Sequence, residues 1–155
     1  MKILTTEEIR TLNNYTIVNE PVLSVDLTER AAKSAKRWIE DKLNSELRYH
    51  IFCGSGNNGA DGLALARLLK KDGYQVTAYL VTGTQPLSLD CVTNKKRFLE
   101  LSRLTQINEK EDLPELDSKA IVIDALFGTG LNRAVSGILQ QTIDFINQLN
   151  QSFNQ

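Results

Sequence analysis

The chain has 155 residues, 24% of them charged, and 18 Lys and Arg against 19 Asp and Glu leave a formal net charge of −1. That length predicts a single domain over residues 1–155 with a buried core, and the balanced charge excludes the basic footprint of a nucleic-acid binder or a membrane-surface patch. No apolar run approaches a bilayer span, since the longest, residues 120–127, is interrupted by Asp124; with no secretory h-region behind Met1, a cytoplasmic location is expected.

Thr5 with Glu8 three positions on forms a capping box, and Ile9 and Leu12 at helical spacing predict a helix to about Val18, broken by Pro21. Ser24 and Asp26 open a second helix, in which Leu27, Ala31, Ala35, Trp38 and Ile39 are expected to form one buried stripe. Lys33, Lys36 and Arg37 read as its solvated face. Residues 49–53 predict a strand. Residues 61–71 predict a helix with Leu65, Leu68 and Leu69 inward, closed by Gly73. A second strand over 75–81, a loop over 84–90, a helix over 92–101 and a short strand near 105–107 follow. An apolar strand over 120–124 and a last helix from Ser136, carrying Ile138, Leu139, Ile143, Ile146 and Leu149, complete the pattern.

Apolar strands alternating with helices indicate a parallel sheet covered on both faces, a doubly wound, Rossmann-like α/β fold. Right-handed crossovers place the ends of the first strand and of the 120–124 strand side by side at the carboxyl edge, where such folds bind ligands. The 120–124 strand is expected to leave an open edge beside the apolar face of Ile138, Ile143 and Ile146, favouring self-association. Cys53 and Cys91 lack metal-site or C-x-x-C spacing and read as buried free thiols. His50, the sole histidine, sits inside a strand and reads as a half-buried strand residue rather than a base. A Ser-His-Asp set or a histidine-bound zinc therefore has little to build on.

Two glycine loops carry the chemistry. The first strand runs into Gly54-Ser55-Gly56-Asn57-Asn58-Gly59-Ala60-Asp61-Gly62, which spells G-x-G-x-x-G ahead of a helix and suits a nucleotide or phosphate cradle. The acidic residue that a dinucleotide site places about 20 positions on is absent, because Leu80-Val81-Thr82-Gly83-Thr84 stands there. A nicotinamide-cofactor dehydrogenase is thereby disfavoured, and a tight turn that binds nothing is the plain alternative. The second loop follows Asp124 in Asp124-Ala125-Leu126-Phe127-Gly128-Thr129-Gly130. A carboxylate at the end of a buried strand costs desolvation unless it meets a cation or donors; the alternative is an Asp that caps its own turn. The Asn58 amide oxygen and the Asp124 carboxylate at one crevice suit a hard cation.

These two motifs, in this order, together with Ser24-Val25-Asp26-Leu27-Thr28-Glu29-Arg30-Ala31-Ala32, resemble the YjeF N-terminal domain, the NAD(P)H-hydrate epimerase family, over nearly the whole chain. The resemblance implies an isomerase that interconverts the C6 epimers of hydrated NADH or NADPH, a metabolite-repair reaction. It also implies a homodimer, and a dehydratase domain or partner. It implies substrate contacts from Asn57, Asn58, Gly59, Ala60 and Asp61 and from Gly128, Thr129, Gly130, Leu131, Asn132, Arg133 and Ala134, with Arg133 near the phosphates. A potassium ion held by Asn58 and Asp124, with Asp124 as acid/base group, completes what it implies. Two departures from the family pattern stand out. Ala60 replaces a usual second glycine, a restriction if positive φ is required there. The family domain also continues for several tens of residues through an Asp-x-Pro-Ser-Gly-like segment that is expected beyond Gln155. A catalytically inactive nucleotide-binding or interaction module of the same fold remains the alternative.

Overall fold

The structure is a computed structural model that describes residues 4–20, 23–43, 46–117, 119–129, 131 and 134–152. Thr5 caps α1 (Thr6–Asn19) by the reciprocal box: its hydroxyl accepts the Glu8 N–H at 3.2 Å and the Glu8 carboxylate accepts the Thr5 N–H at 2.7 Å. The break expected at Pro21 lies outside the described residues. In chain order follow α2 (Ser24–Lys42), β1 (Arg48–Cys53), α3 (Asn57–Lys71), β2 (Gln75–Leu80), α4 (Leu89–Leu99), β3 (Leu104–Gln106), a 3-10 turn (Lys110–Asp112), β4 (Ala120–Ala125) and α5 (Gly137–Ser152).

All pairings are parallel and the strand order is β3-β2-β1-β4. The central β1 buries Tyr49, Ile51, Phe52 and Cys53 completely, as its unbroken apolar run requires of a strand covered on both faces. Ile51, Cys53, Ala78 and Leu80 face a core built with Leu63, Leu69 and Phe98 of α3 and α4. On the opposite face, Phe52 stacks on Tyr79 at 4.7 Å between ring centroids, and Phe145 of α5 meets it edge-on at 6.1 Å. Winding runs from β1 to β2 and β3 on one side and returns to β4 on the other. The carboxyl ends of β1 and β4 therefore flank the point where it reverses.

Four sequence expectations are corrected. Helix α3 begins at Asn57 rather than 61, because Gly59 and Gly62 lie so close to neighbouring strands and loops that the chain winds at once; packing overrides the poor helical propensity of Asn57-Asn58-Gly59. Helix α4 begins at Leu89 rather than 92, with the Ser88 hydroxyl accepting the Cys91 N–H at 3.2 Å. The buried line of α2 is Thr28, Ala32 and Ile39, while Ala31 and Ala35 are exposed and Trp38 is 59% exposed. Polar pairs set that roll: Thr28 bonds Asp61, Glu29 pairs with Arg67 and Lys36 with Asp72. Finally, β4 is only half-buried over Ile121, Val122 and Ile123, because it has a strand neighbour on one side alone among the described residues. In α3, Leu65 and Leu69 are buried as expected and Leu68 is half-buried.

Candidate functional site at the carboxyl edge

The loop between β1 and α3 is short and held by backbone contact. The Gly54 N–H donates to the Ala125 carbonyl at 3.0 Å, tying the loop to β4. A Cβ on Gly54 would lie 2.0 Å from the Leu126 carbonyl oxygen, and one on Gly59 would lie 1.9 Å from the Gly54 carbonyl oxygen. One on Gly62 would meet the Ala125 Cβ at 2.6 Å and the Cys53 Sγ at 2.9 Å. Close approach, not left-handed backbone, is thus what the motif demands; positive φ occurs among the described glycines only at Gly73, Gly83 and Gly137. The restriction expected from Ala60 is corrected on the same ground: it lies fully buried in the first turns of α3, and no described non-glycine residue has positive φ.

Gly56 is the exception within the motif. It is exposed, a Cβ there would meet nothing within 4 Å, and it is the N-cap of α3 with no side-chain cap. The first-turn N–H groups of Asn57, Asn58 and Gly59 are those a helix leaves without an intrahelical acceptor, and they sit at the positive end of the helix dipole. An oxyanion fits such a cradle.

Helical spacing divides the motif between two directions. Asn58 and Gly62 face β4, and the Asn58 Nδ2 donates to the Phe127 carbonyl at 2.9 Å, so the two glycine loops meet as expected. Asn57 and Asp61 instead line a hollow of about 320 Å³ against α2, with Ser24, Thr28 and Arg30. Burial pushes the Asp61 carboxyl up to about 6, partly offset by the Thr28 hydrogen bond and reinforced by Asp90, which itself accepts the Ser24 hydroxyl.

Asp124 stands in register with Phe52 and shares its face of the sheet. The expectation of a desolvated carboxylate is corrected: Asp124 is exposed, since β4 is an edge strand, and its Oδ1 accepts the Leu126 N–H at 2.9 Å. One oxygen thus caps its own turn, the alternative held open above, while the other is free to act. Gly128 and Thr129 are exposed beyond it; Gly130, Asn132 and Arg133 lie outside the described residues.

Leu131 and Ala134 line a cavity of about 530 Å³ between the turn after β2, Asn108 and the start of α5. Phe127 of the second glycine loop lines it too, with Gly83, Thr84, Gln85 and Asn108, which were not singled out as site residues by sequence. The one available signal was Thr82-Gly83-Thr84 itself: Gly83 has φ +55°, and the Gln85 N–H closes a turn onto the Thr82 carbonyl at 3.2 Å.

The remaining candidates are structural. His50 is half-buried, bonded through Nδ1 to the Tyr79 hydroxyl at 3.0 Å, and desolvation lowers its pKa. Cys53 and Cys91 are free and buried, and burial pushes Cys91 up to about 11, so neither thiol is a ready nucleophile. Among the described residues no group of three or more His, Cys, Asp or Glu side chains is placed to hold a metal ion. No helix of the described residues is long and apolar enough to cross a membrane.

A doubly wound parallel sheet with an uncapped, glycine-led helix at its reversal point and a cavity beside it defines an α/β domain of the nucleotide-crevice kind. Within that class, the chain belongs to the family described as YjeF-related protein N-terminus, whose model matches residues 10–153. It is 37% identical over 147 residues to the NAD(P)H-hydrate epimerase of Limosilactobacillus reuteri (strain ATCC 55730 / SD2112), covering 94% of this chain and 68% of that protein. The epimerase of Rhodobacter capsulatus is 33% identical, with 88% of this chain and 66% of that protein covered. A bifunctional NAD(P)H-hydrate repair enzyme of Thermofilum pendens is 30% identical across 95% of this chain, which spans 29% of that relative. The crystal structure of yeast ynu0 has the same fold, with a TM-score of 0.75 at 16% identity, over 97% of this chain and 67% of the other.

Proposed function

We propose that this domain is an NAD(P)H-hydrate epimerase, an isomerase acting on the C6 epimers of hydrated NADH and NADPH. The observation that carries the reading is the Asn58 to Phe127 hydrogen bond, which joins the uncapped α3 terminus to the Asp124 turn across the reversal point. In this reading the N–H groups of Asn57, Asn58 and Gly59 receive the substrate's phosphates, and residues 128–134 contact it. Asp124 serves as acid/base group at C6. It gives a proton to the departing hydroxyl, which leaves as water while the ring nitrogen's electron pair forms an iminium; water then adds to the other face and returns a proton to the carboxylate.

Potassium belongs to the proposal. The donor set fits it: the Asn58 amino group is occupied by the Phe127 carbonyl, which leaves Oδ1 as an oxygen donor, and the Asp124 Oδ1 that accepts the Leu126 N–H keeps a second lone pair for the ion while the other oxygen carries the proton. Hard cations take such oxygens. When bound, the ion would supply fixed positive charge between the two glycine loops. A homodimer is supported by the exposed Leu12, Tyr15 and Val18 of α1, and a companion repair domain or partner by the bifunctional relative. A cytoplasmic setting suits a repair enzyme with free thiols.

The test is interconversion of the separated epimers by the unmodified chain and by Asp124→Asn. The substitution is expected to lower the rate by ~10²- to 10⁴-fold with an unchanged melting temperature. Turnover that survives Asp124→Asn would remove this residue from the chemistry. Nucleotide binding without turnover in the unmodified chain would favour the inactive module. Asn58→Ala is expected to abolish any stabilisation by potassium over sodium chloride at equal ionic strength.

A further inference from the structure

We infer that the turn after β2 and the segment after β3 build the subsite for the substrate's hydrated nicotinamide, with Gln85 and Asn108 as its specificity-determining residues; this rests on the epimerase reading. The cavity of about 530 Å³ at the carboxyl edge has a size suited to a ring and its sugar. Its apolar lining includes Phe127 and Leu139, and Thr84, Gln85 and Asn108 add neutral polar side chains to it.

Phosphates suit the converging N–H groups at the start of α3. A neutral part of the substrate therefore belongs here, and two are available, adenine and hydrated nicotinamide. The face of the sheet decides between them. Asp124 is in register with Phe52, which shares one core with Phe127 and Leu139, so the carboxylate assigned to C6 lies on the cavity's side. The ring that carries C6 must lie there too.

The amides are positioned and unspent. The positive φ of Gly83 turns the chain into the cavity wall against Leu139, and the Gln85 N–H locks that turn. Asn108 is fixed through its backbone, whose N–H donates to the Asp112 carboxylate at 2.8 Å. Neither side-chain amide has a hydrogen-bond partner among the described residues. A carboxamide offers one carbonyl acceptor and an amino group, which an Asn or Gln amide complements atom for atom.

Epimerisation kinetics of Gln85→Ala, Asn108→Ala and Gln85→Glu, with nicotinamide mononucleotide and AMP as competing half-ligands, test the assignment. Each alanine substitution is expected to raise KM about tenfold, the equivalent of one lost hydrogen bond, with kcat within about twofold. Inhibition by nicotinamide mononucleotide should weaken by the same factor and that by AMP should not change. Unchanged KM in variants that melt like the unmodified chain would overturn the subsite, and so would weakened AMP inhibition with nicotinamide mononucleotide unaffected. A chain with no epimerase turnover at all would overturn the functional reading itself, an outcome distinct from both.

Discussion

Replacing Gly59 by alanine tests the claim that close backbone approach governs the first glycine loop. In an exposed helix the change would stabilise by about 1 kcal/mol through propensity. Here the new Cβ would lie 1.9 Å from the Gly54 carbonyl oxygen, where real Cβ atoms keep beyond 3.0 Å. One backbone must retreat by about 1 Å, and such overpacking costs about 1–3 kcal/mol. The retreat also strains the 3.0 Å bond from the Gly54 N–H to Ala125, worth about 1 kcal/mol. The net expectation is a loss of about 2 kcal/mol, a fall of roughly 4–8 °C in Tm for a chain of this size. Gly56→Ala is the control. Its backbone, at φ −88° and ψ −167°, accepts a side chain and nothing obstructs it, so about 0.5 kcal/mol of capping is lost while the methyl group intrudes on the anion cradle. Urea unfolding followed by circular dichroism reads both. A Gly59→Ala protein at least as stable as the unmodified chain would refute the reasoning.

Asp61 should make stability depend on pH. Between its ordinary 3.8 and the raised value of about 6, the folded chain holds a proton that the unfolded chain releases; the stability this gives is complete below about pH 4 and lost as pH rises through 6. Asp61→Asn is expected to flatten that part of the Tm profile, and an identical profile in the variant would rule it out. Glu29→Gln should cost about 3 kcal/mol in urea unfolding, because the Arg67 side chain is only 9% exposed and loses its carboxylate; a Glu29→Leu/Arg67→Met pair should recover most of it. Trp38→Ser, on the exposed side of α2, should change stability by no more than about 0.5 kcal/mol, and a loss of several kcal/mol would place that side in contact after all.

What the sequence revealed, and what it hid, follows from the range of the forces involved. Strand β1 was legible because complete burial on both faces demands an unbroken apolar run, and the α1 cap because it is a local exchange between Thr5 and Glu8. The roll of α2 was not, since Thr28, Glu29 and Lys36 find their partners on another helix, and a stripe containing Trp38 outscores them in any local pattern. The start of α3 was hidden likewise, because propensity reads Asn57-Asn58-Gly59 as loop and only the Gly54 carbonyl above Gly59 explains the winding. At the site, Asn58 and the Phe127 loop were brought together by topology alone, whereas Gln85 and Asn108 are ordinary polar residues until the sheet brings them to one cavity. The open edge at β4 was legible, whereas the exposure it gives Asp124 was not, because an unbroken apolar run reads as burial on both faces.

The two cores that flank the sheet are unequal, and this sets where the molecule can breathe. Leu63, Leu69 and Phe98 beneath α3 and α4 are fully buried, whereas α5 buries Thr142 and Ile146 but brings Ile138, Leu139, Ile143 and Phe145 only half-buried to the other face. Amide protons of β1 and α3 should therefore exchange with solvent only on global unfolding, and those of α5 through smaller and more frequent openings. The crevice is built across that divide: its anion cradle belongs to the slow half, and its cavity wall beside Phe127 and Leu139 to the fast one.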